Sequence, residues 1–256
     1  MKISANTRRV WIFTLASLSL LLPHPVLAER VHIAVASNFV KTAQEITSAF
    51  HQKTGHKVIV SSGSTGKFYA QILNGAPFDI FMAADQKSID KLIDAGFSSS
   101  DNRMTYAIGK IALFSLNTQK ITPNITETLS ADTVGRLAIA NPKTAPYGRA
   151  ALEILQALQL EKSLKPYLVT GENIAQTYQF VATGNAELGF VALSQIVDTQ
   201  KGSHWIVPQS LYSPIRQDAV LLNKAKDKQT ARAFFSYLQS KAALLIMQKY
   251  GYSSDA

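Results

Sequence analysis

The chain has 256 residues, 46% of them hydrophobic and 17% charged, with 26 Lys and Arg against 17 Asp and Glu for a formal net charge of +9. That length is enough for a core that needs no covalent staple, and with no cysteine the chain cannot form a disulfide. The cations, among them Lys110, Lys120, Arg136, Lys143, Lys162, Lys201 and Lys224, are scattered rather than massed, which argues against a nucleic-acid face.

Residues 1–28 read as an export signal: Lys2, Arg8 and Arg9 make a basic start, residues 10–22 are apolar, and Val26-Leu27-Ala28 has the small residues a signal peptidase accepts. Cleavage after Ala28 removes three cations and no acid, taking the net charge from +9 to +6. No later stretch has the length of a membrane span, so an exported protein that is not membrane-embedded is expected. What remains suits one large domain or two lobes joined through strands, since no Pro/Gly/Ser linker interrupts it.

Residues 31–36 (VHIAVA) read as a buried parallel strand. Ser37 and Asn38 follow, then Phe39, Ala43, Ile46 and Phe50 at helical spacing until Gly55 stops the helix. Ser37 and Asn38 therefore sit at a strand-to-helix junction, either as an N-cap pair or as donors to an anion. Residues 58–60 are the next strand. Ser61, Ser62, Gly63, Ser64, Thr65 and Gly66 read as a turn ahead of a helix bearing Phe68, Ile72 and Leu73. Capping accounts for one or two of those hydroxyls; hydroxyls and free N–H groups at the positive end of a helix also suit an anion. Gly66-Lys67 has the form of the end of a phosphate loop, but that motif wants glycine where Ser61 stands and Ser or Thr where Phe68 stands.

Residues 78–84 read as a strand whose isolated acid, Asp79, is functional or caps neighbouring N–H groups. Asp85 caps a helix carrying Ile89, Leu92 and Ile93, closed by Gly96. Three strand-helix units in succession imply a parallel sheet with helices on both faces, and ligands gather beyond the carboxyl ends of such strands. Residues 106–116, broken at Gly109-Lys110, suit a segment running from one lobe into another. A second α/β block follows. Its strands are 136–140, 167–169 and 186–193, the last with helical 195–197 behind it; helices begin at Ala145-Pro146-Tyr147-Gly148 and at Ile174, after Gly171-Glu172-Asn173. Residues 215–222 are strand-like. Two helices, 230–238 and 242–248, close the chain with Phe234, Phe235, Leu238, Leu244 and Ile246 as packing residues. Tyr147 and Ile174 thus mirror Ser37 and Thr65 at the strand-to-helix turns of a second lobe.

Ala36-Ser37-Asn38-Phe39, the block 61–84 around GSTGKFYAQILNGAP, Tyr106 to Lys110, Asn141-Pro142 with Ala145-Pro146-Tyr147-Gly148, Asn173-Ile174, LGFVAL at 188–193 and Gly202-Ser203-His204-Trp205 occur in an order and spacing that resembles the periplasmic molybdate-binding proteins of ABC importers. The resemblance covers nearly all of the chain after residue 28. It implies an α/β, two-lobed type II periplasmic binding protein fold, each lobe a mostly parallel sheet flanked by helices, with the ligand in the cleft. We expect residues 29–108, with 215–256 returning, in lobe 1 and 109–214 in lobe 2.

The resemblance further implies that the oxyanion is held by Ser37, Asn38, Ser64 or Thr65, Tyr147 and Ile174, through backbone N–H at the last two. One branch of the family uses a tyrosine where this chain has Ala192, so that share passes to Asn38 or another donor. Molybdate or tungstate would be the ligand, with molybdenum present only as the oxyanion and no catalytic residue, metal cation or cofactor. The partners implied are the membrane subunits of an importer; the protein is expected to be a periplasmic monomer that binds no nucleic acid. Rival readings are a sulfate binder, a ferric-iron binder, and an exported hydrolase with Ser64 as nucleophile. Iron-binding relatives use paired tyrosines, and no Tyr-Tyr pair occurs. His32, His51, His56 and His204 form no hydrolase motif, and Gly-x-Ser-x-Gly is absent. A metal site at His51 and His56 is disfavoured because the second lies past the Gly55 helix stop.

Overall fold

The apolar runs become strands that sort into two sheets. The computed structural model describes residues 30–254, so the export signal expected over residues 1–28 lies outside the described residues. In chain order the strands are β1 (Arg30–Ala36), β2 (Lys57–Gly63), β3 (Ile80–Met82), β4 (Arg103–Gly109), β5 (Ile111–Ser115), β6 (Leu137–Ala140), β7 (Leu168–Gly171), β8 (Leu188–Ala192), β9 (Ser203–Ile206) and β10 (Ile215–Leu221). The helices are α1 (Val40–Thr54), α2 (Thr65–Leu73), α3 (Lys87–Asp94), α4 (Ile125–Thr128), α5 (Pro146–Ala157), α6 (Glu161–Leu164), α7 (Ile174–Ala182), α8 (Gln229–Tyr237) and α9 (Lys241–Lys249).

The first sheet has the order β2-β1-β3-β10-β4 and the second β7-β6-β8-β5-β9. The two follow one plan. Strand β1 is parallel to β2 and β3, as β6 is to β7 and β8. Strand β10 runs antiparallel to β3 and β4, as β5 does to β8 and β9. Each sheet is thus mixed, with one reversed strand. In both cases that is the strand on which the chain arrives from the other lobe. The crossings are short: Lys110 alone separates β4 from β5, and the return runs from β9 to β10.

Several elements differ from the sequence reading. The strand expected over 78–84 is three residues long. Ser61, Ser62 and Gly63 belong to β2 rather than to a turn, since pairing with β1 continues through Ala36 and Gly63. The helical 195–197 is instead a 3₁₀ turn over Leu193–Gln195. Strand β9 was not expected, because four residues on a sheet edge, with His204 and Ile206 exposed, carry too little pattern to read.

Each sheet is covered by helices that bury their apolar faces. In the first lobe Ile33, Val35, Phe39, Ile46 and Phe50 pack with Phe234 and Met247, and the Phe50 and Phe234 rings meet edge to face at 5.2 Å. Helices α8 and α9 therefore belong to the first lobe although they end the chain. The second lobe is built on Leu113, Ile139, Ile154, Leu155 and Phe190. Asp79 caps as expected, accepting from the His32 N–H at 2.8 Å, and also pairs with Lys228 at 3.0 Å. Among the described residues no helix is long and apolar enough to cross a membrane.

Candidate functional site

Four helix starts converge where the lobes meet. From the first lobe come the 3₁₀ turn Ser37–Phe39, which leads into α1 at the carboxyl end of β1, and the start of α2 at the end of β2. From the second come the starts of α5 and α7, beyond β6 and β7. The pairs β1/β2 and β6/β7 are equivalent in the shared plan, so the same physical feature, free N–H groups at positive helix ends, is presented from both sides. A small cavity between them is lined by Ala36, Ser37, Asn38, Gly63, Ser64, Thr65, Ala84, Ala145, Pro146, Tyr147, Asn173 and Ile174. All six residues named from the sequence, Ser37, Asn38, Ser64, Thr65, Tyr147 and Ile174, are in that wall. None of the lining residues is charged.

The local sequence explains each donor. Pro146 starts α5, where its missing N–H costs nothing, and leaves the Tyr147 N–H in the first turn without an intrahelical partner. Gly148 lets that turn lie on the end of β6: a Cβ there would stand 2.2 Å from the Ala140 carbonyl oxygen. At α7 the Asn173 side chain accepts from the Ala175 and Gln176 N–H groups at 3.0 and 3.1 Å. This is ordinary capping, and it leaves the Ile174 N–H free.

Ser64 is the contrast. It stands at the N-cap of α2 but makes no side-chain cap bond, and its Oγ is buried without a hydrogen-bond partner. A buried hydroxyl is normally satisfied; Thr42 Oγ1 and Thr144 Oγ1 are unpartnered too, and of the three only Ser64 lines the cavity. The neighbouring Thr65 Oγ1 accepts from the Ala84 N–H at 3.0 Å. That bond uses an acceptor position and leaves the hydroxyl hydrogen to donate.

The Asn38 side chain is already engaged. Its side-chain N–H₂ donates to Gln217 Oε1 at 2.8 Å and to the Tyr252 hydroxyl at 3.0 Å, so both hydrogens are engaged and only its backbone N–H is available to a ligand. Tyr106 donates to the same Gln217 oxygen at 3.1 Å. The Asn38 carbonyl oxygen accepts from Ser194 Oγ of the second lobe at 2.9 Å. This buried network fixes the first donor loop from behind, and neither Gln217 nor Tyr252 was singled out in the sequence. Burial pushes the Tyr106, Tyr147 and Tyr252 hydroxyls well above their ordinary pKa of 10, so all three stay neutral.

The lobes also touch directly. Gly66 N–H donates to the Thr144 carbonyl oxygen at 2.9 Å, Lys67 pairs with Glu172 at 2.8 Å, and Arg149 pairs with Asp85. The surface pairs are worth little individually. Arg149 lines a neighbouring groove, not the donor cavity, and its charge is met by Asp85. The arrangement presents neutral donors from both lobes to one small cavity, a chemistry suited to an anion.

The family described as bacterial extracellular solute-binding protein matches residues 31–253. The molybdate-binding protein ModA of Azotobacter vinelandii is 49% identical over 228 residues, covering 88% of this chain and 90% of that protein. The molybdate-binding protein ModA of Rhodobacter capsulatus is 44% identical over 231 residues, covering 90% and 91%. Among solved structures, an Azotobacter vinelandii periplasmic molybdate-binding protein superposes with a TM-score of 0.85 at 38% identity, covering 88% of this chain and all of that one.

Proposed function

The chain belongs to the bacterial extracellular solute-binding proteins, and on that premise we propose that it captures molybdate in the periplasm and delivers it to the membrane subunits of an ABC importer. Tungstate, of the same charge and shape, is a second ligand of the same site. The observation that carries the reading is the uncharged, donor-lined cavity between the lobes, with the unpartnered Ser64 hydroxyl in its wall. Identities of 44–49% to relatives named for molybdate binding support the choice of anion.

In this reading the oxyanion accepts from the Ser37, Ser64 and Thr65 hydroxyls, the Asn38 backbone N–H, and the Tyr147 and Ile174 N–H groups. Each bond to a charged acceptor contributes about 1.5–3 kcal/mol net of the water it replaces. With Ala192 in place of a tyrosine and the Asn38 amide engaged elsewhere, the hydroxyl share falls on Ser64. Hydrogenphosphate is disfavoured because its O–H must be met by a hydroxyl oxygen of the wall and adds a donor where the other groups, the backbone N–H donors, can offer no acceptor.

The ligand touches both lobes, so it favours the closed form, which is what the importer recognises. We assign residues 29–108 with 215–256 to lobe 1 and 109–214 to lobe 2, hinged at the two strand crossings. The protein works as a periplasmic monomer with no catalytic step.

Titration calorimetry tests this reading. One molybdate or tungstate per chain is expected, with no heat from hydrogenphosphate and a dissociation constant that does not change between about pH 6 and 9, where no lining group titrates. Tight sulfate binding without molybdate heat would replace the ligand assignment.

A further inference from the structure

The phosphate-loop resemblance at Gly66-Lys67 leaves Gly66 without a role, and the structure supplies one. Gly66 is the second residue of α2, and its φ lies outside the left-handed region, so the local backbone does not need glycine. Helix propensity alone favours alanine there. The constraint comes from the other lobe. A Cβ on Gly66 would stand 3.0 Å from Thr144 Cα, 3.1 Å from its carbonyl oxygen and 3.2 Å from its Cβ. These are backbone and stem atoms that cannot rotate away, and the Gly66 N–H already bonds that same carbonyl at 2.9 Å.

The contact lies next to the donors on both sides. Ser64 and Thr65 precede Gly66, and Ala145, Pro146 and Tyr147 follow Thr144 in the cavity wall. Whatever spaces Gly66 from Thr144 therefore spaces the donor sets of the two lobes. We propose that Gly66 is a positioning residue for ligand capture: its missing side chain sets how far the lobes close, and any side chain there acts as a wedge on the closed state. The proposal rests on the hinge-closing, molybdate-binding reading above. The easiest relief for a wedge is a slight opening of the hinge. Hydrogen bonds weaken steeply with distance, so the cost falls on bonds that span the cleft.

Gly66→Ala and Gly66→Leu, both good helix formers, make a graded test. By calorimetry and stopped-flow, the molybdate dissociation constant should rise about 10-fold for Ala and about 100-fold for Leu, mainly through faster release. The ligand-free melting temperature should stay at or above the wild-type value. Wild-type affinity in both variants overturns the proposal, and so does a melting temperature that falls in step with affinity, because the glycine would then serve the first lobe alone. Small-angle scattering separates this from an error in the ligand. In whichever anion, or none, leaves wild type most compact, Gly66→Leu should have the larger radius of gyration. Equal radii overturn the proposal even if molybdate proves to be the wrong guest.

Discussion

Ser64→Ala is expected to weaken molybdate binding by about 10- to 100-fold and to leave the ligand-free protein as stable as wild type, or slightly more so. Ser64 is 3% exposed and its Oγ has no partner, so burying it already costs free energy that alanine does not incur. Against a dianion the same hydroxyl makes a charge-assisted bond worth about 1.5–3 kcal/mol, and each 1.4 kcal/mol is tenfold in affinity. Thr65→Val separates the two hydroxyls. It removes the donor proposed for Thr65 and also leaves the Ala84 N–H without its acceptor, so it should lower ligand-free stability by about 1–3 kcal/mol as well. Calorimetry together with melting of the ligand-free proteins checks both. Unchanged affinity in Ser64→Ala would remove that hydroxyl from the site, and a large loss of ligand-free stability would make it a structural cap.

Arg103→Ala is the converse, a large loss of fold with the cavity wall unaltered. Asp218 is fully buried on β10, and its carboxylate accepts from Arg103 Nε at 2.5 Å, from Thr105 Oγ1 at 2.8 Å and from Gln86 Nε2 at 3.2 Å. Removing the Arg103 guanidinium takes the paired charge from a buried carboxylate and leaves it the neutral donors of Thr105 and Gln86, a change that costs about 3–5 kcal/mol. For a domain of this size that lowers the melting temperature by roughly 6–20 °C. Below its melting temperature the variant should bind molybdate as wild type does, because neither Arg103 nor Asp218 lines the cavity. A drop under 2 °C would show the pair to be dispensable. A large affinity loss in the folded variant would tie it to the site.

The convergence of the candidate donors was legible where the chemistry is local. Ser37 and Asn38, Ser64 and Thr65, Tyr147 and Ile174 each follow an apolar run and precede a helical period, and the structure brings these six into one wall. What was not legible depends on contacts distant in sequence. The Asn38 amide is engaged by Gln217 and Tyr252, 179 and 214 residues away, and no spacing rule connects them. Ser61 and Ser62 look like turn residues, yet pairing with β1 holds them in β2; tertiary pairing outweighed local preference. The reversed direction of β5 and β10 was not read either, because an apolar run looks the same in both directions and only the lobe crossings decide it. Gly66 reads as part of a loop motif until Thr144 of the other lobe is placed against it.

In the proposed binding mode neutral donors from two lobes hold a doubly charged anion with no cationic side chain in contact. A crystal structure of the protein grown with molybdate tests it most directly. The account predicts an anion within hydrogen-bonding distance of Ser37, Ser64 or Thr65 from one side and of the Tyr147 and Ile174 N–H groups from the other, with every lysine and arginine head group beyond contact. An anion paired with a lysine or arginine, or one that touches a single lobe, would contradict it.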